Sequence, residues 1–149
     1  MFCAKYHAFV RSKLEKRRDK QIMALEMAAV LLGMQTFSQQ CREQNVRIWI
    51  DNTGGEGAFS KGASKSNDHN MLSYAFWLQA ARDRINIHIN RVDTKVNIAD
   101  DPSRGDFEIM NALGAEFVEP IIPKVIWNPE NWAETLTCQE QGLVTAQAL

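Results

Sequence analysis

The 149-residue sequence has little cysteine, no long apolar run and almost no net charge, and each shortage removes a class of function. Its three cysteines, Cys3, Cys41 and Cys138, are odd in number and lack the close spacing of metal-binding pairs. Neither a disulfide framework nor a zinc site is indicated, and a reducing, intracellular compartment, cytoplasm or nucleus, is expected. No apolar stretch approaches the roughly 20 residues that a membrane span needs. The opening MFCAKYHAFVRSKLEKRRDK lacks the apolar centre of a signal peptide. A formal net charge of -1 excludes a basic field over the whole chain, so any contact with nucleic acid must be local. Proline is scarce too, and three of the four fall in EFVEPIIPKVIWNPENW. That stretch cannot be a regular element.

What is present is ordinary for a globular domain: 45% apolar and 23% charged residues, with enough length for one core. Residues 1–20 turn basic, with Glu15 and Asp19 interspersed, and read as a phosphate-binding patch or a solvated mixed-charge segment. Residues 21–43 predict a buried helix, with Ile22, Leu25, Ala29 and Leu32 on its apolar face and Met23, Met27, Val30 and Leu31 widening it. Glu26 stands inside the most apolar part, MALEMAAV. Burying a lone carboxylate is costly, so Glu26 is paired, bound to metal, at a cleft edge, or on a narrow solvent stripe.

VRIWIDNTGG, residues 46–55, predicts a strand that stops at Asp51 and a glycine turn. Asp51 therefore lies at the carboxyl end of a strand, where open α/β sheets put ligands. One helical turn around residues 56–60 and a mildly basic loop with Lys61 and Lys65 come next. A helix over 69–84 is then expected, capped by Asp68 or, alternatively, Asn67, with Met71, Leu72, Ala75, Phe76, Leu78 and Ala81 facing inward. NIHINRV, residues 86–92, alternates as a half-buried strand and puts His88 opposite the isoleucines. Pro102 and Gly105 break any long helix after it, and Asp106 and Gly114 bracket a short one. The order helix, strand, helix, strand, short helix means an α/β sheet with right-handed crossovers. Two strands are too few for an independent sheet.

Glu26, Asp51 and Asp100 are three acids at points that can converge, and oxygen ligands of this kind suit Mg²⁺ or Mn²⁺. The order LE-x-x-A in MALEMAAV, a strand ending DNTGG, a helix containing FW, and N-x-A-D-x-x-S-R at 97–104 resembles the ribonuclease H-like domain of retroelement reverse transcriptases, closest to the fungal variety. The likeness spans about residues 21–118. It implies a five-stranded mixed sheet with flanking helices and metal-dependent hydrolysis of the RNA strand of an RNA–DNA hybrid. It also implies that Glu26, Asp51 and Asp100 are catalytic metal ligands for Mg²⁺ or Mn²⁺. Asn52, Lys61, Lys65, Lys95, Asn97 and Arg104, with Arg91, would contact nucleic acid, and the rest of a reverse transcriptase polyprotein would be a partner.

The sequence departs from that family at its start. The expected opening meander of three antiparallel strands, whose first strand carries the first aspartate, has no counterpart in residues 1–20. The expectation is a truncated ribonuclease H-like α/β fold over 21–118, a basic segment over 1–20, and an arm and tail over 119–149. The loop VDTKVN holds no histidine, and His7 and His69 lie elsewhere, so no general base is assigned. Loss of a bridging ligand would impair catalysis. The alternative is a relic that binds nucleic acid without cutting it, or an inactive fragment.

Overall fold

A computed structural model describes residues 21–122. The readings for residues 1–20 and 123–149 lie outside the described residues. Mixed helix and strand are present, and the described residues hold one sheet of two parallel strands, β1 (Asn45–Ile50) and β2 (Asn86–Arg91). Their register runs from Asn45 opposite Asn86 to Ile50 opposite Arg91, and Val92 N donates to Ile50 O at 3.0 Å just beyond it. Parallel strands need a crossover. Two helices supply it here, α3 (Thr53–Lys61) and α4 (Asn67–Arg82).

Helix α1 (Ile22–Thr36) is shorter than the sequence pattern predicts. It breaks at Phe37, whose φ and ψ are -102° and 26°, and only one further turn, α2 (Ser38–Cys41), continues it. Thr36 Oγ1 donates back to Leu32 O at 2.7 Å, a local bond that competes with continued helix. The buried face also differs. Ala24, Met27, Ala28, Leu31 and Met34 are buried, whereas Ile22 is 53% exposed and Ala29 lies on the exposed side. Apolar residues surround this helix, so periodicity alone does not choose which side meets the core.

The crossover starts earlier than expected. A full helix from Thr53 replaces the single turn, because Asn52 caps it and Gly62 ends it at φ 65°. Helix α4 has Ser66 at its N-cap, with neither Asp68 nor Asn67 in that role. Asp68 is instead buried and its Oδ1 accepts from His69 N at 2.9 Å. Leu72 and Phe76 face the core as expected, joined by Ser73, Gln79 and Ala80, while Ala81 faces out.

The core gathers α1, α3, α4 and the sheet. Val46, Ile48, Ile87 and Ile89 pack against a buried cluster that includes Met27, Leu31, Phe59 and Phe76. The rings of Phe59 and Phe76 lie 4.4 Å apart between centroids, and Trp77 meets Phe76 edge-on at 5.0 Å. Each buried polar group that crosses between helices has a backbone acceptor. Gln79 Nε2 donates to Met34 O at 3.1 Å, Ser73 Oγ to Ala58 O at 3.3 Å, and Trp77 Nε1 to Phe59 O at 2.8 Å. These bonds tie α4 to α1 and α3.

At the amino end of the sheet two tight turns lock together. Glu43 and Arg84 adopt positive φ, Glu43 N donates to Asp83 O at 3.0 Å, and Arg84 pairs with Glu43. Buried Asp83 Oδ1 accepts from Arg42 at 3.4 Å and faces Arg82 at 3.5 Å. This sets both strands off from one level. At the other end a 3₁₀ turn (Thr94–Val96) leads to α5 (Asp100–Ser103) and α6 (Glu108–Ala112), which Gly114 ends at φ 66°. Residues 115–122, which include Pro120, carry no regular element, the rest of the proline-containing stretch lies outside the described residues, and Ile121 N donates to Thr36 Oγ1 at 3.0 Å.

Phe76 is fully buried at the junction of α1, α3 and α4. Phe76→Ala should destabilise the fold by about 3–5 kcal/mol, read as a drop in the urea midpoint monitored by circular dichroism. Ala81→Ser, on the exposed side of the same helix, should move that midpoint by less than about 0.5 kcal/mol.

Candidate carboxylate site

Ile50 is buried and pins the end of β1, which leaves Asp51 at the sheet edge. The next residue sets the start of α3. Asn52 Oδ1 accepts from Gly54 N at 2.8 Å and Gly55 N at 3.3 Å, satisfying the first free amides of that helix. Gly54 permits the packing above this cap. A β-carbon there would meet Met23 Sδ at 2.8 Å and Asn52 Oδ1 at 3.1 Å. The start of α3 thus lies against the first turn of α1, and Glu26, three residues after Met23, comes to the same edge.

Electrostatics report that convergence. The Glu26 carboxyl is pushed above its ordinary value of 4.5, first by desolvation and then by the negative charge of Asp51. The Asn52 side-chain amide acts in the opposite direction with less weight, and Asp100 adds a further upward push. Glu26 Oε2 is buried and has no hydrogen-bond partner. The solvent-stripe reading of Glu26 is therefore set aside, since the side chain is half-buried beside two other acids.

Asp100 reaches the edge from the other strand. Asn97 makes the link: its Nδ2 donates to Asp51 Oδ2 at 3.0 Å, while its Oδ1 accepts from Ala99 N at 3.2 Å. Asp100 N donates to Asn97 O at 3.0 Å. Of the adjacent acids 100 and 101, it is Asp100 whose charge acts on Glu26. Its carboxylate is already engaged, since Arg104 Nη2 donates to Asp100 Oδ2 at 3.2 Å from one turn on. Among the described residues, no three Asp, Glu, His or Cys side chains stand close enough together to hold one metal ion. The oxygen donors suit a hard cation, and the orphaned Glu26 oxygen suits one as well. The spacing does not suit one until the three groups draw together.

The residues expected to touch nucleic acid divide. Lys95, Asn97 and Arg104 line an open depression of about 360 Å³ with Asp100, Asp101 and the exposed apolar residues Val96, Ile98 and Ile109. Lys61 and Lys65 are exposed at the far end of α3 and in the loop after it, away from this depression. Asn52 and Asn97 have structural work within the site, one as a helix cap and one as the bridge between strand ends. An asparagine ahead of Thr-Gly-Gly carries a capping signal that sequence can show. The Asn97 bridge has no such signal, because its partner is 46 positions away. His88 is exposed on the face opposite the isoleucines, as the alternation predicts. Comparison with known protein families, with curated proteins and with solved structures finds no match.

Because the fold raises the Glu26 pKa, native protein holds its proton more tightly than unfolded chain does. Stability from this group is full below pH 4.5 and is lost as pH rises through the raised native value. Glu26→Gln should therefore stabilise the protein at pH 7, by less than about 1 kcal/mol given solvent screening. The advantage should vanish below pH 4.5, as thermal melts across pH will show.

Proposed function

We propose that residues 21–118 act as a ribonuclease H-like module of retroelement type, in which Glu26, Asp51 and Asp100 serve metal-dependent hydrolysis of the RNA strand of an RNA–DNA hybrid. The observation that carries this reading is geometric: the loop after β2 reaches the end of β1 through the 3.0 Å bond from Asn97 Nδ2 to Asp51 Oδ2, and α1 packs against the start of α3 beside Asp51 with one buried, unpartnered Glu26 oxygen. Glu26 is pushed above its ordinary value by burial and by the charge of Asp51 beside it, and oxygen donors of this kind suit a divalent cation. Bound Mg²⁺ or Mn²⁺ would supply charge neutralisation and activation of water.

The chain's own groups do the rest. Asp51 and Glu26 hold negative charge at the sheet edge, and Asn97 keeps Asp51 oriented through its 3.0 Å bond. Lys95, on the rim of the depression, is placed to meet a phosphate. Arg104 must release Asp100 before that carboxylate can serve, and once released it can turn to a phosphate of the hybrid.

One observation favours a second reading, hybrid binding without cleavage. The carboxylates do not close into a ligand set, and Asp100 is held by Arg104. The two readings separate in one assay: cleavage of an end-labelled RNA–DNA hybrid with and without Mg²⁺. The nuclease reading expects Mg²⁺-dependent cutting that Asp51→Asn lowers by at least about 100-fold while hybrid binding persists. Cutting that Asp51→Asn leaves undiminished sinks it. Binding with no cutting in either protein establishes the second reading.

A further inference from the structure

The sheet has two faces of different chemistry. Alternation in β1 and β2 sends Val46, Ile48, Ile50, Ile87 and Ile89 to the helices. The other face carries Asn45, Arg47 and Trp49 opposite Asn86, His88 and Asn90. These six include no carboxylate and no aliphatic side chain. Asn45, Arg47, Asn86 and His88 are exposed and Trp49 is 57% exposed, while Asn90 is half-buried with its Oδ1 shielded from solvent and without a hydrogen-bond partner. The large ring therefore lies open beside a cation. Among the described residues Arg47 makes no ion pair, unlike Arg42, Arg82, Arg84 and Arg104.

We propose that this outer face binds single-stranded RNA. Each part of the surface matches one part of that ligand. Trp49 offers a flat ring on which a base can stack, and stacking needs no particular base. Arg47 offers an unpaired cation for a phosphate, or a second plane for a base. The amides supply hydrogen bonds to base edges and 2′-hydroxyls. Asn86 Nδ2 donates to Asn45 Oδ1 at 2.7 Å, with His88 Nε2 at 3.4 Å, so these side chains form a fixed polar row across both strands. That row leaves Asn45 Nδ2 as a donor and Asn86 Oδ1 as an acceptor. The three outward residues of each strand span four steps of about 3.3 Å, about 13 Å in all, enough for two or three nucleotides.

The alternatives fit less well. An apolar protein surface would gain little from a face whose only large apolar group is Trp49. A basic partner would meet Arg47 with like charge. The charge points to a polyanion, and the open ring points to one whose bases are free to stack. A duplex hides the faces of its bases, so a single strand is the form that uses Trp49. This face is separate from the carboxylate edge, and the inference does not depend on the nuclease reading.

The test is fluorescence anisotropy of a labelled RNA of about eight nucleotides with the full chain, in EDTA and low salt. Saturable binding is expected. Trp49→Ala should weaken it about tenfold, and Trp49→Phe should retain most of it because a ring remains. Arg47→Glu should weaken it at least as much and flatten its salt dependence. Both wild-type side chains are exposed, so circular dichroism should show unchanged folding in all three variants. Absence of saturable binding, or binding that these variants leave intact, overturns the proposal. Equally tight binding of the DNA oligomer of the same sequence overturns the assignment to RNA. A dimer in sedimentation that Trp49→Ala dissociates gives the face to a second copy of the chain and overturns it too.

Discussion

Parallel pairing of β1 with β2 is the constraint on which the rest of the structure depends. Antiparallel strands would place the residue after β1 and the residues after β2 at opposite ends. Parallel strands put both carboxyl ends on one edge. Asp51 and the Asn97–Asp100 loop become neighbours for that reason alone, and the 3.0 Å bond from Asn97 to Asp51 joins them. The same pairing demands a crossover long enough to hold α3 and α4. The crossover in turn carries Asn52 and Gly54 against α1 and brings Glu26 to the edge. The pairing is short, so it depends on the turns that start both strands level. Asn86 N donates to Gln44 O at 2.9 Å, one step before the ladder begins.

The site works against the fold that builds it. Glu26 is desolvated beside Asp51 and Asp100, and one of its oxygens has no partner. Such an arrangement costs stability at neutral pH and is kept by the packing of Met23 and Gly54, not by the carboxylates' own attraction. Arg104 offsets part of the charge through Asp100, but as a partly exposed i,i+4 pair it contributes little. Charge of this kind is relieved by a positive partner, whether a metal ion or a cationic side chain, and every functional reading of the edge turns on which partner it is.

Much of the architecture is legible in the residues. Both strands, their alternation, and the position of Asp51 at a strand end are readable from runs such as VRIWID and NIHIN, where the period of two is unambiguous. The side of a helix is less legible. Helix α1 is apolar all round, and its buried seam, Ala24–Met27–Ala28–Leu31, is chosen by contact with α4 and α3. Helix α4 buries Gln79 and Ser73, which composition would leave outside, because carbonyls of α1 and α3 stand ready to accept from them. Caps are legible only in part. Asn52 has the residue type and the glycines after it that a cap needs, while Asp68 has the type but is drawn inward. Of the site, the identities of the acids can be read in order along the chain. Their mutual distance cannot, since it is set by contacts far apart in the chain: Met23 against Gly54, 31 positions apart, and Asn97 on Asp51, 46 positions apart.

The two faces of the sheet obey the same constraint. A side-chain period of two means that a one-residue slip in either strand would exchange its two faces. In β1 it would put Arg47 and Trp49 under Phe59 and Phe76, and in β2 it would bury His88 and Asn90. The isoleucines that hold the core thereby also fix the chemistry of the outer face. Its asparagines, arginine and tryptophan are held at defined positions by burial on the opposite side. The ladder fixes the backbone of that surface, while the exposed side chains of Arg47 and Trp49 still lose rotamer freedom when a ligand arrives. Any ligand for that face must accept polar and aromatic contacts at the spacing the ladder imposes.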